Sequence, residues 1–342
     1  MRGEIDADNL DTPGLVAAAI GMPAGNGKTA WSWSSEPFAG GVMGDYAGQI
    51  TLQARRAALM PRLMAREFRA TLHLGKNELS FNDMSGDVGG GRFTGQLAFR
   101  SADDGLKTHG KVSLIGADTA TLLGADARPP ISGSLAFSAE ADGAGMSPAA
   151  LIGSLQGSGK IVLSDAQFAD LDPRAFDKVA RAVDQGMAIN AARVSELVSK
   201  ALDGGHLSVK RAEGDLTLSA GQMRLSNVRI DSKEAALSMA GNFDLTDGTI
   251  NARLVLSGAG HAAGSRPEIY FALQGPVTAP ARSIDLSALS GWLTLRSIDN
   301  QSKQLREMEN AQPKPSAPKP KSEMAPMPGQ SGRGEASVGS QN

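Results

Sequence analysis

Much of the chain alternates apolar and polar residues in short runs that end at glycine-containing turns. Phe68, Ala70, Leu72 and Leu74 form one such run, and a turn at residues 75–77 leads into the next. A period of two is typical of strands that have one buried and one exposed face. Because each run has only one apolar face, we predict a mainly β fold, an antiparallel meander, and not a parallel doubly wound sheet.

The same alternation returns in both halves of the chain, from residue 31 to about residue 273. An open sheet of that many strands coils under its own twist, and its apolar face then lines the inside of the curve. Such a curve either packs on its own side chains as a core or stays open as an apolar groove. Small residues on the apolar face would leave room and favour the open β-groove; they are Ala70, Gly95, Gly133, Gly241 and Ala252.

Two amphipathic helices are expected to interrupt the strands, at about residues 172–186 and 190–203. The first has Asp172 as a predicted N-cap and Pro173 at its first position. Its apolar residues recur at helical spacing, as they do in the second, which starts near Asn190 and stops at residues 204–205. The plain interpretation is that this pair caps a sheet core, and the alternative is a functional lid or plug.

The pattern predicts four segments. Residues 1–30 are a short lead-in with a strand and a brief helix from Asp11 to Ile20, and residues 31–145 are β-meander. Residues 146–310 hold the helical pair, further strands and a C-terminal helix of which only the first half is apolar. Residues 311–342 are rich in Pro, Lys, Ser and Gly, and we expect a disordered tail.

Composition removes several classes of function. A formal net charge of −2 gives no electrostatic reason to expect a nucleic-acid partner. The absence of cysteine excludes disulfides and thiolate chemistry. No run approaches the roughly 20 apolar residues that span a bilayer, and the acidic N-terminus does not resemble a signal peptide.

Neither a catalytic nor a metal site is indicated. The histidines, His73, His109, His206 and His261, are scattered without ligand spacing, and solvated surface positions explain them. The glycine-rich stretch at residues 25–29 ends in Gly-Lys-Thr but lacks the spacing of a phosphate loop. We therefore expect a protein that is not an enzyme and has no cofactor.

Three stretches carry a resemblance to a known family. They are Gly157-Ser158-Gly159 leading into the helical pair, Asn242-Phe243-Asp244-Leu245-Thr246-Asp247-Gly248, and the close from Gly275-Pro276-Val277 to Gly291-Trp292-Leu293. In these stretches residues 153–310 resemble the C-terminal region of the AsmA family of bacterial envelope proteins. Trp33-Ser34-Ser35-Glu36-Pro37-Phe38 and Gly89-Gly90-Gly91-Arg92-Phe93 look like the preceding β region, so the resemblance extends over residues 31–310.

The resemblance implies an inner-membrane-anchored protein whose bulk lies in the periplasm as a long β-groove, related to bridge-like lipid transporters and linked to outer-membrane assembly. Family members begin with a transmembrane helix, which this chain does not show. It is therefore expected to be the C-terminal part of a longer protein or a truncated reading frame, with membrane association through a missing N-terminal anchor. The family has no catalytic motif to carry over.

Together, the one-sided alternation and the resemblance suggest that the apolar face holds phospholipid acyl chains. The residues expected to line the groove are Phe93, Leu97, Phe99, Leu237, Met239, Phe243 and Leu254, although the same positions would suit an ordinary core. The competing hypothesis is a scaffolding module that contacts outer-membrane assembly proteins through its sheet edges without carrying lipid.

Overall fold

The computed structural model describes residues 2–23, 31–39, 41, 47–60, 63–124, 129–232, 235–258 and 266–311. The glycine-rich stretch at residues 25–29, His261 and the expected tail beyond residue 311 lie outside the described residues. Residue 311 itself belongs to the last helix.

Within the described residues the chain forms fourteen strands and six helices. The strands are β1 (Arg2–Asp11), β2 (Gly48–Met60), β3 (Leu63–Leu74), β4 (Glu78–Val88), β5 (Gly91–Ala102), β6 (Gly105–Asp118), β7 (Ile131–Gly145), β8 (Gln156–Ala169), β9 (His206–Ser219), β10 (Gln222–Asp231), β11 (Ala235–Asp244), β12 (Thr249–Gly258), β13 (Glu268–Pro276) and β14 (Ala281–Asp285). The helices are α1 (Thr12–Ala19), α2 (Thr119–Leu123), α3 (Pro148–Gly153), α4 (Ala175–Asp184), α5 (Ala191–Leu202) and α6 (Ser287–Ala311).

All fourteen strands belong to one sheet, and their order in the sheet is their order in the chain. This confirms the mainly β meander. The expectation of purely antiparallel pairing is wrong for one pair, since β1 runs parallel to β2 and pairs Arg2 with Gln49. The cause is the long connection through α1, which returns the chain to the end of the sheet where β1 began, as a parallel pair requires.

The predicted helical pair is present with shorter bounds. Asn190 caps α5 as predicted and accepts a hydrogen bond from the Arg193 N–H at 2.9 Å. Asp172 does not cap α4, which begins at Ala175 with Arg174 in the cap position. The Asp172 carboxylate instead accepts from the Arg174 N–H at 2.9 Å, and a tight turn separates this aspartate from the helix.

Two short helices, α2 and α3, were not predicted. Asp118 caps α2 and accepts from the Thr121 N–H at 2.8 Å, and Ser147 caps α3 and accepts from the Ala150 N–H at 3.2 Å. Both starts carry a recognised N-terminal signal, and Pro148 at the first position of α3 strengthens the second. The helical pair is therefore not the only interruption of the meander.

Buried apolar side chains form two separate cores on the sheet. The N-terminal core joins α1 and α3 to β2–β6, and its largest members include Leu52, Phe68, Leu72, Leu79, Phe81, Val88, Phe99 and Leu151. The C-terminal core joins α4, α5 and the start of α6 to β8–β13, and it includes Leu163, Phe168, Val179, Val194, Val198, Leu207, Leu237, Leu256, Ile269, Leu289 and Leu293. Helices thus cover the apolar face at both ends of the sheet.

Residues 31–39 form no strand, although they were expected to belong to the meander. They run across the molecule as a strap, the name used below for this segment. The Trp33 indole N–H donates to the Leu245 carbonyl oxygen at 2.7 Å. At the other end of the strap the Ala39 N–H donates to the Gly21 carbonyl oxygen, at 2.8 Å, just after α1.

The strap shows that the sheet curls toward its apolar face. Leu245 follows β11, whereas α1 packs on β2. Nine strand spacings separate β2 from β11, which would be about 43 Å in a flat sheet. The six residue steps from Trp33 to Ala39 reach at most about 21 Å. The short strap can connect the two regions because the sheet is curved between them.

The chain divides into two compact units, Met1–Ser297 and Ile298–Asn342. The sheet, both cores and the strap belong to the first unit. In the described part of the second unit, Lys303 Nζ lies 2.8 Å from a carboxylate oxygen of Asp299 within α6.

Candidate functional site

Strand pairing aligns apolar residues in rows along one face of the sheet. One row of directly opposed residues is Phe81, Leu97, Gly110, Ala141, Gly157, Leu218, Met223, Phe243 and Ile250. A neighbouring row is Met84, Gly95, Val112, Ala139, Gly159, Leu216, Leu225, Gly241, Ala252 and Leu273. Neither row contains a charged or hydrogen-bonding side chain, so the apolar surface is continuous from β4 to β12.

Every predicted groove-lining residue lies on this face. Phe93, Leu97, Met239, Phe243 and Leu254 are half-buried there. Phe99 and Leu237 are buried inside the two cores, with 6% and 0% of their surface exposed. Those two positions are ordinary core in this structure, and the role of the other five as lining remains a prediction.

The stretch of the face between the two cores is less covered. We call it the central groove and define it by half-buried apolar residues on β5–β9: Phe93, Leu97, Val112, Leu114, Phe137, Ile161 and Leu218. The opposite face of the same strands carries charge, with Lys111 Nζ 3.2 Å from a Glu140 carboxylate oxygen. The strands therefore separate an apolar inner surface from a charged outer one.

Glycines in and beside the central groove allow close backbone approach and do not leave free volume. A Cβ atom on Gly157 would lie 2.1 Å from the Glu140 carbonyl oxygen, and one on Gly159 would lie 2.4 Å from that of Ser138. At Gly241 the same atom would lie 2.9 Å from the Ala252 Cβ. The expectation that small residues hollow out the groove is wrong at Gly133 and Gly241, because atoms of the adjacent strand already occupy the space.

A cavity of about 250 Å³ opens at the end of the central groove nearest α4 and α5. Its apolar lining comes from α2 and from β7–β11: Leu122, Leu123, Ile131, Leu135, Ile161, Leu163, Ala212, Gly214, Leu225, Val228 and Met239. The other lining residues are Thr119 and Glu213. The Thr119 hydroxyl lies 3.1 Å from the Ile131 carbonyl oxygen that accepts from it, and the Glu213 carboxylate is paired with Arg211.

Met239 alone among the predicted residues lines this cavity. Ile131 and Leu135 lie in an alternating apolar run of β7, but nothing in this alternation distinguishes them from core. The helix α2, which supplies Leu122 and Leu123, was not predicted. Its signal was the Asp118-Thr119 cap, which was available in the sequence.

The strap and α3 lie at the opposite end of the groove. The rings of Trp31 and Phe243 meet edge to face, with centroids 5.0 Å apart. The buried Ser34 accepts the Ala149 N–H through its carbonyl oxygen at 3.0 Å, which ties the strap to α3. No sequence pattern indicates that Trp31 and Trp33 make their contacts with Phe243 and Leu245, since these partners lie more than 200 residues away.

Ion pairs stabilise the helices of the C-terminal core. Arg296 Nη2 on α6 lies 2.8 Å from Asp184 Oδ2 on α4, and this hydrogen bond is the main cause that raises the pKa of Arg296. Near the start of α4, burial acts to raise the pKa of Asp172. The hydrogen bonds from Arg174 and the charges of Arg174 and Lys178 outweigh it, so this pKa is lowered.

The described residues show few features that would suit metal binding or a membrane span. Among the described residues no group of three or more His, Asp or Glu side chains could hold a metal ion. His109 Nδ1 lies 2.9 Å from an Asp142 carboxylate oxygen on the outer surface. No helix in the described part of the chain has both the length and the apolar character needed to cross a bilayer.

Comparison with known proteins identifies the family. The model of the AsmA family matches residues 24–254, more than half of the chain. The match includes the stretches at residues 157–159 and 242–248 that carried the resemblance, and it ends before the third, at residues 275–296. No curated protein and no solved structure matches significantly. The chain belongs to the AsmA family.

Proposed function

We propose that this chain is a non-enzymatic envelope-biogenesis protein whose apolar groove binds or conducts lipid acyl chains between the inner and outer membranes. The observation that carries the proposal is the continuous apolar face, which is packed by helices at both ends of the sheet and only half-buried between them. A soluble fold gains by covering such a surface, and hydrocarbon chains would cover it without hydrogen-bonding groups.

Family membership supports the broader part of the proposal, a role in the bacterial envelope. The same proposal locates the chain in the periplasm, attached to the inner membrane, and gives it phospholipid as its ligand. Protease added to intact and to permeabilised cells tests the location. Cleavage only after the outer membrane is opened is the expected result, and protection until the cytoplasm is opened would contradict it.

Native mass spectrometry of the full chain, produced in a bacterial host, tests the ligand. We expect phospholipid to co-purify in a defined stoichiometry. Met239→Asp places a charge on the half-buried inner face and should abolish retention, because burying an unpaired charge is unfavourable. Ser238→Asp is the matched control, since Ser238 is the preceding, exposed residue on the same strand. It should retain lipid.

A lipid-free chain with unchanged circular dichroism would contradict the proposal. It would favour the scaffolding hypothesis, in which outer-membrane assembly proteins bind along the sheet edges. The observation behind that second candidate is that β1 and β14 end the strand order of the sheet, and that all five residues of β14 are exposed. Pairing of an added strand with such an edge is a known mode of protein recognition.

A further inference from the structure

We propose that the cavity beneath α2 is a closed seat for the methyl end of one alkyl chain, so that lipid enters this end of the groove tail first. This inference rests on the proposed function of the groove. Beyond that function, it states where the alkyl chain binds, which end of the chain enters first, and that binding depends on chain length.

The lining selects hydrocarbon. Apart from Thr119 and Glu213, every residue around the cavity is aliphatic, methionine or glycine. The Thr119 hydroxyl is directed to backbone carbonyl oxygens of Ile131 and Gly133, and the Glu213 side chain, 45% exposed, is paired with Arg211. In the described residues every buried side-chain nitrogen or oxygen has a hydrogen-bond partner. The lining therefore offers a headgroup little beyond the exposed Glu213 carboxylate, whereas methylene groups need no hydrogen-bonding partner.

On one side the cavity borders the C-terminal core. Leu163 and Val228 line it and are also members of the C-terminal core, which contains Val179 of α4 and Val194 of α5. Both helix residues are fully buried, with 0% exposed surface. A chain that reaches this point meets the core and stops, so the cavity suits a chain end and not the middle of a passing chain.

On its other side the cavity continues into the central groove. Ile161 belongs to both, and it lies opposite Phe137, which lies opposite Leu114 on the next strand. This path gives the rest of the chain an apolar surface toward β5. The cavity, at about 250 Å³, is larger than apolar cavities of about 150 Å³ that bind small hydrocarbons. It can therefore take several methylene groups of one chain.

Filling the cavity tests the inference. Leu135→Trp adds a ring at a half-buried lining position, and Ile161→Trp does so from the neighbouring strand in case the first variant misfolds. Ile115→Trp is the control, because Ile115 is 63% exposed and does not line the cavity. Circular dichroism and thermal unfolding select the variants that keep the fold.

Binding is measured by native mass spectrometry with free fatty acids of about ten to about eighteen carbons, and with phosphatidylethanolamine carrying short or long acyl chains, because each methylene that enters the cavity adds to affinity. We expect the parent and Ile115→Trp to favour long chains. The filled variants should weaken long-chain binding by roughly tenfold or more and leave short-chain binding nearly unchanged. The two ligand series show whether the chain comes from a phospholipid or from a free acid.

Two results would overturn the inference. The first leaves the proposed function of the groove in place, and the second removes it. If the parent binds lipid but the filled variants lose all chain lengths equally, or lose none, the closed seat is wrong and the groove remains. If the parent binds neither fatty acid nor phospholipid, the proposed function falls and the inference with it.

Discussion

The C-terminal core and the central groove belong to one sheet and share β8 and β9, but they reach stability by different means. In the core, neighbouring β11 and β12 residues such as Leu237 and Leu256 are fully buried under α4 and α5. In the groove the opposed residues are half-buried, and the close contacts are between backbones, as at Gly157 and Gly159. Both regions have paired strands, but the core adds side-chain packing under helices, whereas the groove leaves its side chains half-buried.

This difference teaches that an apolar strand face does not reveal its own role. Leu237 and Met239 lie two residues apart on one face of β11, yet one is core and the other lines a cavity. The difference between the two positions is that the helices α4 and α5 pack over Leu237 and leave Met239 half-buried. Function is therefore to be sought where helical cover ends, which is the region that the predictions below probe.

The largest change in stability is expected when a charge is placed on the core side of the boundary where helical cover ends. Leu237→Asp buries an unpaired carboxylate in the C-terminal core and should lower the free energy of unfolding by about 4 kcal/mol or more. Met239→Asp, two residues along, should leave most of the stability in place because its side chain is half-buried. Urea unfolding followed by circular dichroism measures both. Equal losses would mean that the two positions belong to one core.

A smaller loss of stability is expected when a methyl group is added in the groove. Gly159→Ala places its Cβ against the Ser138 carbonyl oxygen, and overpacking of this kind costs about 1–3 kcal/mol. Gly153→Ala is the control, since nothing lies within 4 Å of the added atom in α3. Thermal unfolding of both variants measures the difference in stability between them. A neutral Gly159→Ala would show that β7 and β8 separate easily.

A comparable loss is expected where α4 joins the sheet. Asp172 is 3% exposed and accepts hydrogen bonds from Arg174, so Asp172→Ala removes these bonds and should cost about 1–3 kcal/mol. Urea unfolding at neutral pH measures it. Asp172→Asn keeps an acceptor and should cost less. No loss in either variant would show that α4 does not depend on this carboxylate.

The same residue makes a pH-dependent contribution. Its folded-state pKa is lowered, so the unfolded chain binds the proton more readily. The stability from Asp172 is therefore complete above its ordinary pKa of about 3.9 and is lost as the pH falls through the lower folded value. The difference in unfolding free energy between the parent and Asp172→Asn should shrink over that range. A difference that stays constant with pH would contradict this assignment.

The smallest effect concerns the strap. Trp33→Phe keeps a ring but removes the N–H that donates to the Leu245 carbonyl oxygen, and the loss should be about 0.5–1.5 kcal/mol. Amide hydrogen exchange near residue 245 should rise in this variant while exchange in the two cores stays unchanged. Faster exchange throughout the sheet would mean that the strap supports the whole fold and not only its curvature.

Strand alternation and capping residues made much of this architecture predictable. Period two placed Phe93, Leu97 and Phe243 on one face, and strand pairing then kept them on that face across the sheet. The Asn190 cap fixed the start of α5. These are local properties of the chain, so a sequence carries them directly.

Long-range packing was not predictable in the same way. The burial of Leu237 depends on helices from another part of the chain, and the contact between Trp33 and Leu245 spans 212 residues. The parallel pairing of β1 depends on how its connection returns. The glycines of the groove were misjudged because a sequence shows an absent side chain but not the neighbouring backbone that fills its place.

The strand order has a consequence for how this protein folds. Each strand pairs with its neighbour in the chain, so most of the sheet grows by local steps that close short loops, which favours rapid propagation. The strap precedes β2 in the chain, whereas its partner Leu245 follows β11. Docking of Trp33 therefore requires the chain up to the end of β11, and this contact reports that the sheet has been completed to that strand.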